Sequence, residues 1–173
     1  MKKMLVSLLV LVFVCSFGFS GEKWSRFRGP NGSGTAQAEP LPTSFGSGEL
    51  EIWKTPLMPG HSSPVLTEDR IFLTGYQEEK LFTLCLARAD GKLLWSREVP
   101  RPRKEPFHRT HGPASGSPAT DGNSVFVFFG DFGAISYDLN GHERWRVPLG
   151  PFSIPNGHGS SPILAEGLVV IQV

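Results

Sequence analysis

The sequence predicts an all-β chain of four-stranded antiparallel sheets arranged as a β-propeller, with about two and a half blades present. Three observations carry this prediction. The 20 Gly and 15 Pro make about a fifth of the 173 residues, a composition poor for helices because these are the weakest helix formers. Ser-Pro recurs ahead of an apolar run at Ser63-Pro64, Ser117-Pro118 and Ser161-Pro162. Tryptophans return at matching places, Trp53, Trp95 and Trp145, the last two each four residues after a hairpin glycine, Gly91 or Gly141.

The chain opens with Lys2 and Lys3 ahead of an almost unbroken apolar run, Met4 to Phe17, and Gly18-Phe19-Ser20 offers small residues to a signal peptidase. Residues 1–20 therefore read as a secretory signal cleaved after Ser20, too short and wrongly flanked for a membrane span. Val14 before Cys15 is too bulky for a lipoprotein signal. The mature chain is then expected in the periplasm or outside the cell, with no transmembrane span. Losing Lys2 and Lys3 leaves 15 of the 17 cations against 16 acids, so charge gives no case for nucleic acid or an anionic membrane. Cys85 is the one mature cysteine and, inside Leu84-Cys85-Leu86, reads as a small buried hydrophobe.

Residues 21–50 are expected as an extended N-terminal segment, and 51–173 as the partial propeller. Its parts are a closing strand at 51–57 with Trp53, a blade at 61–99, a second at 114–149 and the start of a third at 158–173. In the two whole units a Ser-Pro strand leads to a β-branched or aromatic run, Arg70 to Thr74 or Ser124 to Phe129. A further strand follows, then Asp90-Gly91 or Asn140-Gly141, then the tryptophan strand. Asp-Gly and Asn-Gly predict two-residue hairpins with positive φ at both central residues. From Ser63 to Trp95 is 32 residues and from Ser117 to Trp145 is 28, whereas the Trp-to-Ser gaps are 10, 22 and 16. Constant bodies with variable connectors suit a radial array with its insertions on one face. A β-sandwich explains the hairpins but not the matching returns of Ser-Pro and Trp. Ile163 to Val173 would leave a long apolar sheet edge. The remaining blades are therefore expected from further chain beyond Val173 or from an oligomer.

These residues resemble the pyrroloquinoline-quinone-like (PQQ-like) β-propeller repeat family over roughly Trp24 to Val173. The family repeat has the form Ala-x-Asp-x-x-Thr-Gly-x-x-x-Trp. Gly91 to Trp95 and Gly141 to Trp145 match its end, and Asp138 fits its Asp if one residue is deleted before Gly141. The first unit departs from it, with Ala87 at the Asp position and Asp90 in place of Thr. The opening Trp24-Ser25-Arg26-Phe27-Arg28-Gly29-Pro30-Asn31-Gly32 is similar to the start of exported members of planctomycete type. The resemblance implies that the tryptophans wedge between neighbouring blades. An indole buries a large area, and its N–H can be satisfied by a backbone carbonyl of the next blade.

The family name does not bring the cofactor with it. Quinoprotein dehydrogenases hold pyrroloquinoline quinone with a vicinal disulfide and a Ca²⁺ site. This sequence has no Cys-Cys pair and no acid cluster of the kind Ca²⁺ prefers, Asp131 standing alone between Gly130 and Phe132. The segment requires no cofactor, with pyrroloquinoline quinone or a divalent metal as the alternatives. His61, His111 and His158 each precede a Ser-Pro strand. They form either a ring at one channel mouth, able to take a divalent metal or an anion, or three turn residues bonded locally to backbone. The connector Arg97 to Arg109 holds four Arg, one Lys and three Pro and reads as a stiff, solvated loop shaping a binding face. Phe107, Phe132 and Phe152 read as its aromatic surface. No catalytic set is complete. The expected function is an exported, non-catalytic scaffold binding protein or envelope polysaccharide through its inter-blade loops; the propeller subunit of outer-membrane assembly machinery shares the repeat, so the resemblance makes a scaffold of that kind one candidate. The alternative is a quinoprotein or metal-dependent oxidoreductase whose ligands lie beyond Val173.

Overall fold

A computed structural model of the chain describes residues 24–29, 32–36, 42–44, 46, 48 and 50–173. The signal at 1–20 and much of the segment 21–50 lie outside the described residues. These are all-β, with no helix and hence none long and apolar enough to cross a membrane.

The strands are β1 (Val65–Leu66), β2 (Arg70–Gln77), β3 (Lys80–Ala87), β4 (Leu93–Val99), β5 (Ala119–Thr120), β6 (Ser124–Phe129), β7 (Gly133–Asp138), β8 (Glu143–Pro148), β9 (Ile163–Ala165) and β10 (Leu168–Val170). They form two four-stranded antiparallel sheets, β1-β2-β3-β4 and β5-β6-β7-β8, and a two-stranded pair, β9-β10. Each first strand starts just after its Ser-Pro pair, because proline has no N–H for a ladder and is tolerated only at a strand's start or edge. Residues 51–58 belong to no ladder among the described residues and form a strap along the first sheet. It docks through side chains: Trp53 Nε1 donates to the Arg88 carbonyl (2.9 Å) and Thr55 Oγ1 to the Gly91 carbonyl (2.8 Å).

The two sheets repeat in detail. Trp95 pairs with Cys85 and Trp145 with Ser136, and the register slips directly beyond each pair, at Cys85/Leu86 and Ser136/Tyr137. The expected two-residue hairpins before the tryptophans are longer, spanning 88–92 and 139–142. Of each Asp-Gly or Asn-Gly pair only the glycine has positive φ, Gly91 at 71° and Gly141 at 80°. The second loop is instead organised by Asp138, whose Oδ1 accepts the N–H groups of Asn140 (2.8 Å) and His142 (2.9 Å). A two-residue turn with positive φ at both positions does occur, but at Glu78-Glu79 (50° and 63°), where no Gly or Asn announces it.

The main core lies between the first two sheets. Phe72, Leu81, Cys85, Trp95 and Val99 pack against Val125, Val127, Phe129, Ile135 and Tyr137. Trp95 sits between Phe72 and Tyr137, with centroids at 6.0 and 5.8 Å. A smaller cluster of Ile71, Leu84 and Leu86 is covered by Trp53 and Met58 of the strap. The carbonyls of Trp24 and Ser25 accept the N–H groups of Leu66 and Thr120, both at 2.8 Å, so the N-terminal segment ties β1 to β5.

Candidate functional site

Three contacts recur from unit to unit and fix where the connectors emerge. In the first, the Ser63 N–H donates to Ser117 Oγ and the Ser117 N–H to Ser161 Oγ, both at 2.9 Å. Ser117 and Ser161 thus each supply the acceptor that the preceding serine's backbone needs. In the second, Trp95 Nε1 donates to the Leu139 carbonyl (2.9 Å) as Trp53 does to Arg88, and both indoles lie on the next hairpin glycine. A Cβ on Gly91 would stand 2.3 Å from Trp53, and one on Gly141 2.8 Å from Trp95. Trp145 packs on Phe126 (6.0 Å) and stays 36% exposed beside a cavity of about 410 Å³ lined by Phe126, Leu164, Gly167 and Leu168.

The third contact is made by the histidines. A Cβ on Gly112 would stand 3.3 Å from His61 Nδ1, and one on Gly159 3.1 Å from His111 Nε2. The imidazole of one unit therefore rests on the glycine that follows the next unit's histidine. His158 differs: it is buried on Gly130 between Phe128 and Phe152. Among the described residues no three His, Cys, Asp or Glu side chains are grouped to hold a metal ion.

The connector from β4 to β5 is a charged clasp rather than the solvated loop expected from its composition. Arg101 is 7% exposed and donates through Nε to Asp131 Oδ2 at 2.5 Å, Asp131 being 2% exposed. The other Asp131 oxygen accepts the Glu105 N–H (2.9 Å). Arg103 donates to the Gly130 and Leu149 carbonyls and to Glu105 Oε1, which also accepts the Phe152 N–H. A buried charge needs a partner and filled lone pairs, and each member here supplies them for another. Arg101 also reaches Tyr76 Oη (3.1 Å) and Glu79 Oε2 (3.0 Å). Lys104, 2.7 Å away, and then the Tyr76 hydroxyl hold the Glu79 carboxyl down at about 2. Asp131, read as a lone residue in the sequence, is the anchor of the connector. The signal for it was an acid inside the aromatic run Phe128-Phe129-Gly130-Asp131-Phe132, facing a proline-stiffened string of arginines.

Beyond this stem, 107–110 is exposed, with Phe107 at 41%. Phe132, expected on the aromatic surface, is in the core, and Phe152 packs on Phe128 (5.8 Å), so of the three only Phe107 is an exposed aromatic. The other end of the sheets holds a cavity of about 580 Å³ lined by Ser25, Leu66, Thr67, Asp69, Thr120 and Asp121. The chain matches no protein-family model, and no curated protein matches it.

Proposed function

We propose that the chain is part of an exported β-propeller with PQQ-like repeats, acting without catalysis as a binding or assembly scaffold. The observation that carries this reading is the connector between β4 and β5: its stem is locked by the buried Arg101–Asp131 pair while its tip presents Phe107, His108 and Arg109 to solvent. A loop ordered at its base and open at its tip spends little conformational entropy on binding, which is how loops on rigid scaffolds recognise partners. The propeller arrangement is supported by the repetition of the serine, histidine and tryptophan contacts from each unit to the next in chain order. Export is supported by Lys2, Lys3 and the apolar run that follows. The partner this tip suits is a protein or envelope polysaccharide, engaged through an aromatic ring and a guanidinium.

The test is retention of the purified chain on immobilised cell-envelope protein and polysaccharide fractions, compared with the Phe107→Ala/Arg109→Ala double variant. Retention lost in the variant with unfolding behaviour unchanged is the expected result. Equal retention of both removes the connector as the binding element. A visible absorbance change on adding pyrroloquinoline quinone and Ca²⁺ overturns the non-catalytic reading in favour of an oxidoreductase.

A further inference from the structure

We propose that His158 is a proton-operated latch: its neutral imidazole holds the connector that leads into β9 against the second sheet, and protonation releases it. The ring is nine-tenths buried and is gripped from two elements, Phe128 of β6 with centroids 5.5 Å apart and Phe152 of its own connector at 4.5 Å. Its floor is Gly130, where a Cβ would stand 2.9 Å from His158 Cδ2, so the ring occupies the space a side chain would take. Nε2 is buried and meets no protein hydrogen-bond partner. A neutral imidazole tolerates this cage; an imidazolium there carries a charge whose buried N–H has no acceptor, which is costly.

The titratable groups facing the ring are Glu105 and Asp131, from the β4–β5 connector and the β6–β7 turn, and His111 from the neighbouring histidine connector. The two carboxylates are already engaged by Arg103 and Arg101, and neither hydrogen-bonds the imidazole. Burial is the largest influence and pushes the His158 pKa below its ordinary 6.5; Glu105 and Asp131 pull it up by less, and His111 adds to the downward push. With the folded pKa depressed, the unfolded or released state binds the proton more readily. The contribution of the latch is therefore complete above about 6.5 and is lost as pH falls through that value toward the folded pKa. The connector it holds carries Ser161, whose Oγ accepts the Ser117 N–H, so release loosens the third sheet from the second. This is a property of the fold and stands whether or not the connectors bind a partner.

The experiment is amide hydrogen exchange over residues 154–162, at about pH 7.5 and about pH 5, in the natural chain and in His158→Phe. Phe keeps a ring in the cage and cannot titrate, and comparison at equal pH cancels the intrinsic chemistry of exchange. Similar protection at the higher pH, with exchange several-fold faster in the natural chain at the lower one, is expected. The same ratio at both pH values overturns the latch. An NMR titration of the natural chain decides independently of the variant's folding: a His158 midpoint below 6.5 is required, and one at or above 6.5 ends the proposal.

Discussion

The tryptophan contacts make a quantitative prediction because two glycines share a backbone conformation but not a neighbourhood. Gly141 has φ 80° and lies under the Trp95 indole, whereas Gly167, in the β9–β10 turn, has φ 75° and open space where a Cβ would go. Gly167→Ala therefore carries only the left-handed backbone penalty, about 1 kcal/mol. Gly141→Ala carries the same penalty and also drives a methyl to 2.8 Å from Trp95 Cδ2. The indole must lift, which costs the Nε1 bond to Leu139, about 1 kcal/mol, and a share of its burial, about another 1–2 kcal/mol. The expected losses are about 3–4 kcal/mol at Gly141 against about 1 kcal/mol at Gly167. Urea unfolding followed by tryptophan fluorescence reads both, provided the slopes agree with that of the natural chain. Equal losses at the two sites would refute the claim that the indole-on-glycine contact joins the sheets.

Asp131→Asn strips the buried Arg101 of its counter-charge and should cost about 3–5 kcal/mol, whereas Glu98→Gln at the exposed Lys80–Glu98 pair should cost under about 1 kcal/mol in the same denaturation assay. Cys85 is fully buried, and desolvation pushes its thiol up to about 12, so it should ignore a thiol reagent until the chain is unfolded; reaction at the native rate of an exposed thiol would contradict its burial. The hydrogen bonds from His142 and the loop N–H groups hold the Asp138 carboxyl down at about 2, below its ordinary 3.8. Its stabilisation is therefore present above 3.8 and lost as pH falls toward 2, and Asp138→Asn should flatten that part of the acid-unfolding profile.

The repeat was legible because it is written in residues with few alternative uses. Ser-Pro starts a strand and tryptophan after a hairpin glycine docks a sheet, so both four-stranded units are legible in the sequence. What the pattern hid was the purpose of the serines: their Oγ groups serve the preceding unit, a long-range bond that no local propensity encodes. The second hairpin departs from the two-residue form because Asp138 satisfies two loop N–H groups with one carboxylate, which leaves Gly141 as its single left-handed residue. The turn at Glu78-Glu79 gave no signal, its positive φ values being held by Tyr76, Arg101 and Lys104 around Glu79 rather than by residue type. At the candidate site, composition made the connector look wet, since five cations in thirteen residues ordinarily stay in solvent. Arg101 lies inside because Asp131 is fixed on a different element 30 residues away.

The serine bonds have a direction: Ser117 donates from its backbone to Ser161 on one side and accepts on its hydroxyl from Ser63 on the other. A row of this kind has a head and a tail, and its two described serine junctions use the same bond. In that row a further unit would meet its neighbour through the same two groups. A single Ser→Ala replacement, by contrast, opens only one junction, leaving the neighbour's amide to find water while the rest of the row stands.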